Sequence, residues 1–138
     1  MKKLVVFSLA VILAAGCNSG TKKMETELKA LIDTIEIKAK PAETGSALAY
    51  FNAAVTGKDE EYKKSSEFNI QLSRIYADTV IFGRLRAIKE SGEVKDSLLL
   101  RQLNILYNTF LGNQWDQKKM EDLIMAQTRL EQRYSTFR

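Results

Sequence analysis

The sequence predicts an all-α protein of about six amphipathic helices, and three observations support this fold class. Its 138 residues are 45% hydrophobic and 28% charged, which is ordinary for one globular domain. It contains seven glycines and one proline, fewer turn-forming residues than a many-stranded sandwich or barrel needs for its hairpins. Apolar residues also recur every three or four positions along most of the chain, as on one face of a helix.

Residues 1–16 have the pattern of an export signal. Two lysines precede an uncharged run from Leu4 to Gly16, which is shorter than the roughly 20 residues that span a bilayer. The stretch LAAGC, ending at Cys17, resembles a bacterial lipobox, in which the signal is cut before the cysteine and that cysteine is acylated. An ordinary secretory signal with an unused thiol and a short membrane helix are the alternatives.

Lipid attachment at Cys17 would make the protein's first partner a membrane of the bacterial cell envelope. Asn18 is not the aspartate that retains lipoproteins in the inner membrane, so the outer membrane or the periplasmic face is favoured. Cys17 is the only cysteine, so the domain cannot form an internal disulfide and must be stabilised by packing. We expect residues 17–23 to form a polar tether and residues 24–138 to form the helical segment.

The first two predicted helices are separated by the only proline. The first runs from about Lys23 to Lys38, and Pro41 is expected to end it. The second runs from about Ala42 to Thr56, and Gly57 supplies the left-handed residue that stops it. The apolar residues of the first helix are Met24, Leu28, Leu31, Ile32 and Ile35. Those expected to point inward from the second are Ala47, Leu48, Phe51, Ala54 and Val55.

The third and fourth helices are predicted from acidic starts and apolar stripes. Asp59 and Glu60 suit the positive end of the third helix dipole, and Asp78 with Thr79 caps the fourth, which closes at Gly92. The third helix carries Phe68, Leu72, Ile75 and Tyr76 on its apolar side, and the fourth carries Ile81, Leu85 and Ile88.

The fifth helix is predicted between Asp96 and Gly112, and its apolar residues fall in one arc of roughly 140° on a helical wheel. That arc comprises Leu99, Leu100, Leu103, Leu106, Tyr107, Phe110 and Leu111. A polar edge lies beside and beyond it, formed by Arg101, Asn104, Asn108, Asn113 and Gln114. These polar side chains either satisfy helix ends and loop carbonyls or contact a second domain absent from this chain.

The sixth helix is predicted to start at Asp116 and to continue to the last residue. Its stripe comprises Met120, Leu123, Ile124, Gln127, Leu130, Tyr134 and Phe137. Because this stripe is still in mid-pattern at Arg138, we expect the helix to be truncated and the chain to be a fragment of a longer protein. Trp115, in the preceding connection, is expected to fill a gap between two helices.

Several classes of chemistry lack the residues they need. The sequence has no histidine, which removes the commonest general base and zinc ligand, and no glycine-rich phosphate-binding motif is present. Adjacent acids such as Glu60 and Glu61 point about 100° apart on a helix and cannot converge as an acid and base. The formal charge of +4, or +2 once Lys2 and Lys3 leave with the signal, is dispersed among acids and does not indicate nucleic-acid binding.

Four segments carry a family resemblance: ALAYFNAAVTGKDEEY, LSRIYAD, RLRAIKESGEVKDSLLLRQLNILYNTFLGNQ and LEQRYSTFR. In this order and spacing they resemble the amino-terminal portion of bacterial zinc peptidases of the angiotensin-converting-enzyme family. The likeness covers about Leu28 to Arg138 and contains no catalytic signature.

The resemblance implies a lid-like part of a mostly helical, two-lobed peptidyl-dipeptidase. In that family an H-E-x-x-H helix holds zinc, and the amino-terminal helices narrow access to the cleft. None of the family's catalytic, cofactor-binding or metal residues can be placed on this chain, so zinc belongs to the full-length parent and we expect this chain alone to be inactive. The implied partners are the missing catalytic half and the parent's peptide substrates. The alternative is a complete small helical lipoprotein that binds a protein or peptide.

Overall fold

The structure is a computed structural model that describes the backbone of residues 2–137 and the side chains of residues 19–137. Within these ranges the chain forms five α-helices and no strand, which confirms the predicted all-α class. The helices are α1 (Lys2–Thr56), α2 (Asp59–Tyr76), α3 (Thr79–Ser91), α4 (Ser97–Gly112) and α5 (Gln117–Thr136). The count is five rather than about six because the first two predicted helices are one.

The helix α1 continues through Pro41, so the prediction that this proline ends a helix is wrong. A proline inside a helix removes one backbone hydrogen bond and frees the carbonyl four residues earlier, here that of Ile37. Both Pro41 and Ile37 lie on the exposed side of α1, where water can reach that carbonyl. The opposite face of α1 stays buried before and after the proline, at Ala39 and Ala42. This packing offsets the loss of the backbone hydrogen bond.

The chain around the predicted tether belongs to α1 as well. Residues 19–23 are helical, and the Thr21 hydroxyl donates a hydrogen bond of 3.0 Å to Glu93. The predicted signal peptide, residues 1–16, and the lipid-attachment residue Cys17 lie outside the residues whose side chains are described. Among the described residues, no helix is long and apolar enough to cross a membrane.

The main core joins the first described half of α1 to α3 and α4. Phe110 is fully buried in it, and its ring meets the Tyr76 ring edge to face at a centroid distance of 5.4 Å. The other fully or nearly fully buried members include most of the residues predicted for these helices: Leu28, Leu31, Ile32, Ile35, Ile81, Leu85, Ile88, Leu99 and Leu103. Leu106 packs partly buried against them, whereas Leu100 and Leu111 are exposed.

The predicted starts of α3, α4 and α5 are confirmed by their caps, whereas the prediction that the last helix continues to the last residue is wrong, since α5 ends at Thr136 and Phe137 is extended. Asp78 accepts hydrogen bonds from the backbone N–H groups of Val80 and Ile81, at 2.9 and 3.0 Å. Asp96 accepts in the same way from Leu98 and Leu99 at the start of α4, and Asp116 accepts from the backbone N–H of Lys119 at the start of α5. Gly57 and Gly92, which follow α1 and α3, adopt the left-handed conformation with φ of 68° and 65°, which satisfies the helix ends without a Cβ penalty.

The second half of α1 packs on α2 through small residues, which corrects the predicted inward face. Ala39, Ala42, Ala49 and Ala53 are buried, whereas Leu48, Phe51 and Val55 are exposed. The approach of α2 explains the choice, because a Cβ atom added at Gly45 would lie 2.5 Å from Phe68 Cζ. Large side chains do not fit on this face of α1.

The side of α2 that packs inward is also more polar than predicted. Its buried residues are Tyr62, Ser65, Ser66 and Ser73, whereas the predicted apolar residues Phe68, Leu72, Ile75 and Tyr76 are only partly buried. Serines occupy little volume, so they allow neighbouring helices to approach α2 closely.

The last helix, α5, packs on α2 through a largely polar face and has no buried residue. Gln117 donates to the Ser73 hydroxyl at 3.1 Å, and Arg74 pairs with Glu121 at 2.8 Å. The larger members of the stripe predicted for this helix, Leu123, Leu130, Tyr134 and Phe137, are all exposed. Trp115 is exposed too and fills no gap between helices.

Candidate functional site: an exposed apolar stripe on the first helix

The most distinctive surface of the described chain is a row of apolar side chains on the outer side of α1. We call this row the outer stripe and define it as Ile37, Pro41, Leu48, Phe51 and Val55. At 100° per residue these positions fall within an arc of roughly 80°, opposite the buried face of α1. The exposed fractions of Ile37, Leu48, Phe51 and Val55 are 77%, 60%, 65% and 70%.

The outer stripe has the spacing of a helix-packing seam. With Thr44 included, its positions follow one another at steps of four, three, four, three and four residues, which is a heptad pattern. The buried side of α1 follows the same pattern where it meets α2, through Ala39, Ala42, Ser46, Ala49 and Ala53. One helix therefore carries two such seams, and only the inner seam has a partner among the described residues.

Charge is confined to one end of the outer stripe. Residues 44–57 contain no charged side chain, whereas Asp33, Glu36 and Lys40 flank the stripe near Ile37. These three residues line a shallow depression of about 720 Å³ together with Ile37, Pro41 and Thr44. The surface thus offers an apolar contact along most of its length and an ionic contact at one end.

Beside that charged end, a groove opens between α1 and the ends of α2 and α4. Ala39, Leu106 and Glu43 are among the residues that line it. The Tyr76 hydroxyl donates a 2.7 Å hydrogen bond to Glu43 Oε1. Burial raises the pKa of Tyr76 above its usual value, and the bond to the Glu43 carboxylate raises it further. Tyr76 therefore acts as a neutral donor that fixes Glu43 in place.

The predicted polar edge of α4 divides into two groups. Asn113 donates to the Thr109 carbonyl at 2.8 Å, and Gln114 donates to the carbonyls of Phe110 at 3.0 Å and Tyr76 at 3.2 Å. These two residues satisfy backbone carbonyls at the end of α4 and join α4 to α2. This agrees with the interpretation that the polar side chains satisfy helix ends and loop carbonyls.

The other members of that edge lie away from the helix end. Asn104 accepts a hydrogen bond from Lys89, and Arg101 and Asn108 are exposed. For these residues, contact with a second domain stays a prediction.

The acidic side chains of the described residues do not form a metal centre. No group of three His, Cys, Asp or Glu side chains with suitable geometry occurs among them, so they do not fit the zinc that the family resemblance implies for the parent. Of the adjacent acids Glu60 and Glu61, Glu61 is in an ion pair: it accepts from Lys64 at 2.6 Å, and this bond lowers the pKa of Glu61. The outer stripe offers apolar contact, and its charged end offers ionic contact.

No protein-family model, curated protein or solved structure matches this chain. The likeness to zinc peptidases therefore stays a prediction that depends on the four quoted segments.

The outer stripe was not predicted, because hydrophobic periodicity places the largest apolar side chains between positions 42 and 56 in the core. A signal was present: the same segment contains a second heptad series made of alanine, glycine and serine, a composition that permits close helix contact. Two heptad seams on one helical segment indicate two packing partners. The small residues then face α2, and the larger residues face the second partner.

Proposed function

We propose that this chain is the access-shaping, amino-terminal helical part of a lipid-anchored zinc peptidase of the angiotensin-converting-enzyme type, and that it performs no bond chemistry itself. The observation that carries the proposal is the outer stripe, an exposed heptad seam on a helix whose other side is already packed. The order and spacing of the four quoted segments support the choice of family.

The outer stripe is the surface through which this part would contact the catalytic part. From Ile37 to Val55 it covers 18 residue steps, or about 27 Å of helix axis, which is five helical turns. Burying its four large side chains would contribute roughly 1.5–3 kcal/mol each before the costs of association. Such a contact is long enough to hold two lobes of one polypeptide together.

The first test is to read the DNA beyond the codon for Arg138. The proposal expects an open frame that encodes H-E-x-x-H. A stop codon directly after Arg138 would overturn the peptidase proposal.

The second test uses the protein encoded by that complete frame. We expect Leu48→Glu combined with Phe51→Glu to lower peptide hydrolysis at least about tenfold, since one carboxylate buried without a partner costs well over 1.4 kcal/mol. Val80→Glu is the matched control, because Val80 is an equally exposed apolar residue on α3, away from the stripe. Equal activity of the double variant and the control would contradict docking through the outer stripe.

A second candidate function is a complete small helical lipoprotein that binds a protein or peptide partner. The heptad spacing of the outer stripe favours it, since a single amphipathic helix from a partner would match that spacing. A stop codon after Arg138 would favour this candidate. A photo-crosslinking residue at position 51 would then form a defined adduct in the cell envelope, and the same residue at position 80 would not.

A further inference from the structure

A second exposed apolar surface lies on the outer side of α5, and we call it the α5 face. It consists of Leu123, Leu130, Tyr134 and, directly after the helix, Phe137, with exposed fractions of 62%, 67%, 87% and 87%. At 100° per residue the three helical members fall within an arc of about 40°. Glu121, which pairs with Arg74 of α2, lies on the opposite side of α5. The α5 face therefore points away from the helix on which α5 packs.

The acidic side chains of α5 already have partners within the chain. Glu121 and Asp122 are in ion pairs at 2.8 and 2.6 Å. Glu131 accepts a hydrogen bond from the neighbouring Gln127 at 2.9 Å. These three residues are all the acids that α5 contains.

The two arginines beside the α5 face have no such partner. Arg129 and Arg133, one turn apart, line a shallow depression of about 250 Å³ together with Ala126 and Leu130. Neither arginine forms an ion pair with any residue whose side chain is described. Exposed apolar side chains bordered by uncompensated cations are typical of a helix that lies on an anionic bilayer.

We propose that the α5 face docks on the surface of a bilayer that contains anionic phospholipid. Its leucine and phenylalanine side chains enter the boundary between headgroups and acyl chains, and Tyr134 lies at the interface, which suits an apolar ring with a polar hydroxyl. Arg129 and Arg133 pair with lipid phosphates. This inference does not depend on the proposed function, since it uses α5 rather than the outer stripe and needs no lipid at Cys17.

Charge complementarity selects this occupant over a second copy of the chain. A second copy would present the same two arginines and no unengaged α5 acid, so it would not compensate their charge. A bilayer with anionic headgroups supplies many phosphates along the whole face. From Leu123 to Phe137 that face covers about 21 Å of helix axis.

The experiment places a tryptophan on the α5 face and tests whether bromine on lipid acyl chains quenches its fluorescence. Trp115 is the only tryptophan, so Trp115→Phe gives a background in which Tyr134→Trp supplies the signal. The full chain is added to brominated vesicles of phosphatidylcholine with about one third phosphatidylglycerol. Val80→Trp in the same background is the matched control, since Val80 is 71% exposed on α3. It corrects for bilayer binding by the uncharged run at residues 4–16.

We expect strong quenching at position 134 and little at position 80. The quenching at position 134 should fall by at least about half in vesicles of phosphatidylcholine alone, because the arginines then lack an anionic surface. Arg129→Gln combined with Arg133→Gln should cause a similar loss. Lys29→Gln combined with Lys38→Gln is the matched control, which removes the same charge from exposed positions on α1 and should leave the quenching unchanged.

Four results would overturn the proposal. Equal quenching at positions 134 and 80 would show that the α5 face does not enter the bilayer. Undiminished quenching at position 134 in phosphatidylcholine alone, or in the double arginine variant, would show that the arginines do not recognise lipid phosphate. A dimer seen by sedimentation without lipid, and dissociated by Tyr134→Ser, would show that a second copy covers this face instead.

Discussion

Phe68 of α2 lies directly over Gly45 of α1, so closely that a Cβ atom at position 45 would approach three of its ring carbons to 2.5–2.7 Å. Cβ atoms do not approach ring carbons so closely, because the repulsion at that distance is severe. The contact sets how near the two helices lie. It also explains why the buried side of α1 consists of alanine, glycine and serine from Ala39 to Ala53.

Gly45→Ala is therefore expected to destabilise the protein, even though alanine is the better helix former. Overpacking a close contact typically costs about 1–3 kcal/mol, and the propensity gain of about 1 kcal/mol offsets only part of a cost in the upper range. The free energy of unfolding in urea measures the net effect.

Gly83→Ala is the matched control for that variant. Gly83 is also helical, but a Cβ atom added there meets nothing within 4 Å. We expect this variant to be more stable by about 0.5–1 kcal/mol, because only the propensity term applies. Equal effects of the two variants would show that α1 and α2 do not approach as closely as described.

Pro41→Ala distinguishes one continuous helix from two helices separated by a break. In a continuous α1, the alanine restores a backbone N–H and relieves the proline ring, so we expect stabilisation of about 1–3 kcal/mol. If two helices were separated at position 41, the proline would favour the break between them, and replacing it would be neutral or destabilising. Thr44→Ala, one turn further along the same exposed side, is the control and should gain less than about 0.7 kcal/mol.

The difference between the predicted and observed α1 shows where sequence patterns reach their limit. The caps at Asp78, Asp96 and Asp116 were predictable because each depends on a side chain and backbone groups within three residues. The effect of Pro41 was not, because packing of α1 on both sides of the proline outweighs its local preference. Capping residues close in sequence determine where a helix begins, whereas packing against distant segments determines whether a proline interrupts it.

The inner and outer faces of α1 and α5 were less predictable for a related reason. A rule that buries the largest apolar residues assigns Leu48 and Leu130 to the core, but the space between neighbouring helices depends on the partner's residues. The partner of α1 here is α2, with Phe68 above Gly45 and serines beside it. Hydrophobic periodicity identifies an apolar face, whereas the volume available next to that face depends on a distant segment.

Tyr76 should make the stability of the fold fall at alkaline pH. Burial and the Glu43 carboxylate raise its pKa in the folded protein, whereas an unfolded chain has a tyrosine pKa of about 10. Above that value the unfolded chain binds fewer protons than the folded chain, so the free energy of unfolding decreases as pH rises. The contribution of Tyr76 is complete below about pH 10 and declines towards its folded pKa.

Absorbance titration of tyrosinate checks this directly. Five tyrosines are present, and we expect the difference between the unaltered chain and Tyr76→Phe to be a component that titrates well above the usual range. A Tyr76 component that titrates near the usual tyrosine pKa of about 10 would show that Tyr76 is neither buried nor bonded to Glu43.

A comparison of Phe51 on α1 with Phe110 on α4 tests whether the outer stripe lies outside the core. Phe110 is fully buried and Phe51 is 65% exposed, so Phe110→Ala should cost about 3–5 kcal/mol of unfolding free energy, typical of a buried aromatic residue. Phe51→Ala should cost less than about 1 kcal/mol, because most of its surface is already in water. Phe51→Ala should also reduce the binding of a hydrophobic dye, since it removes part of an exposed apolar surface. A cost at Phe51 comparable to that at Phe110, with dye binding unchanged, would place Phe51 in the core and remove the basis for the outer stripe.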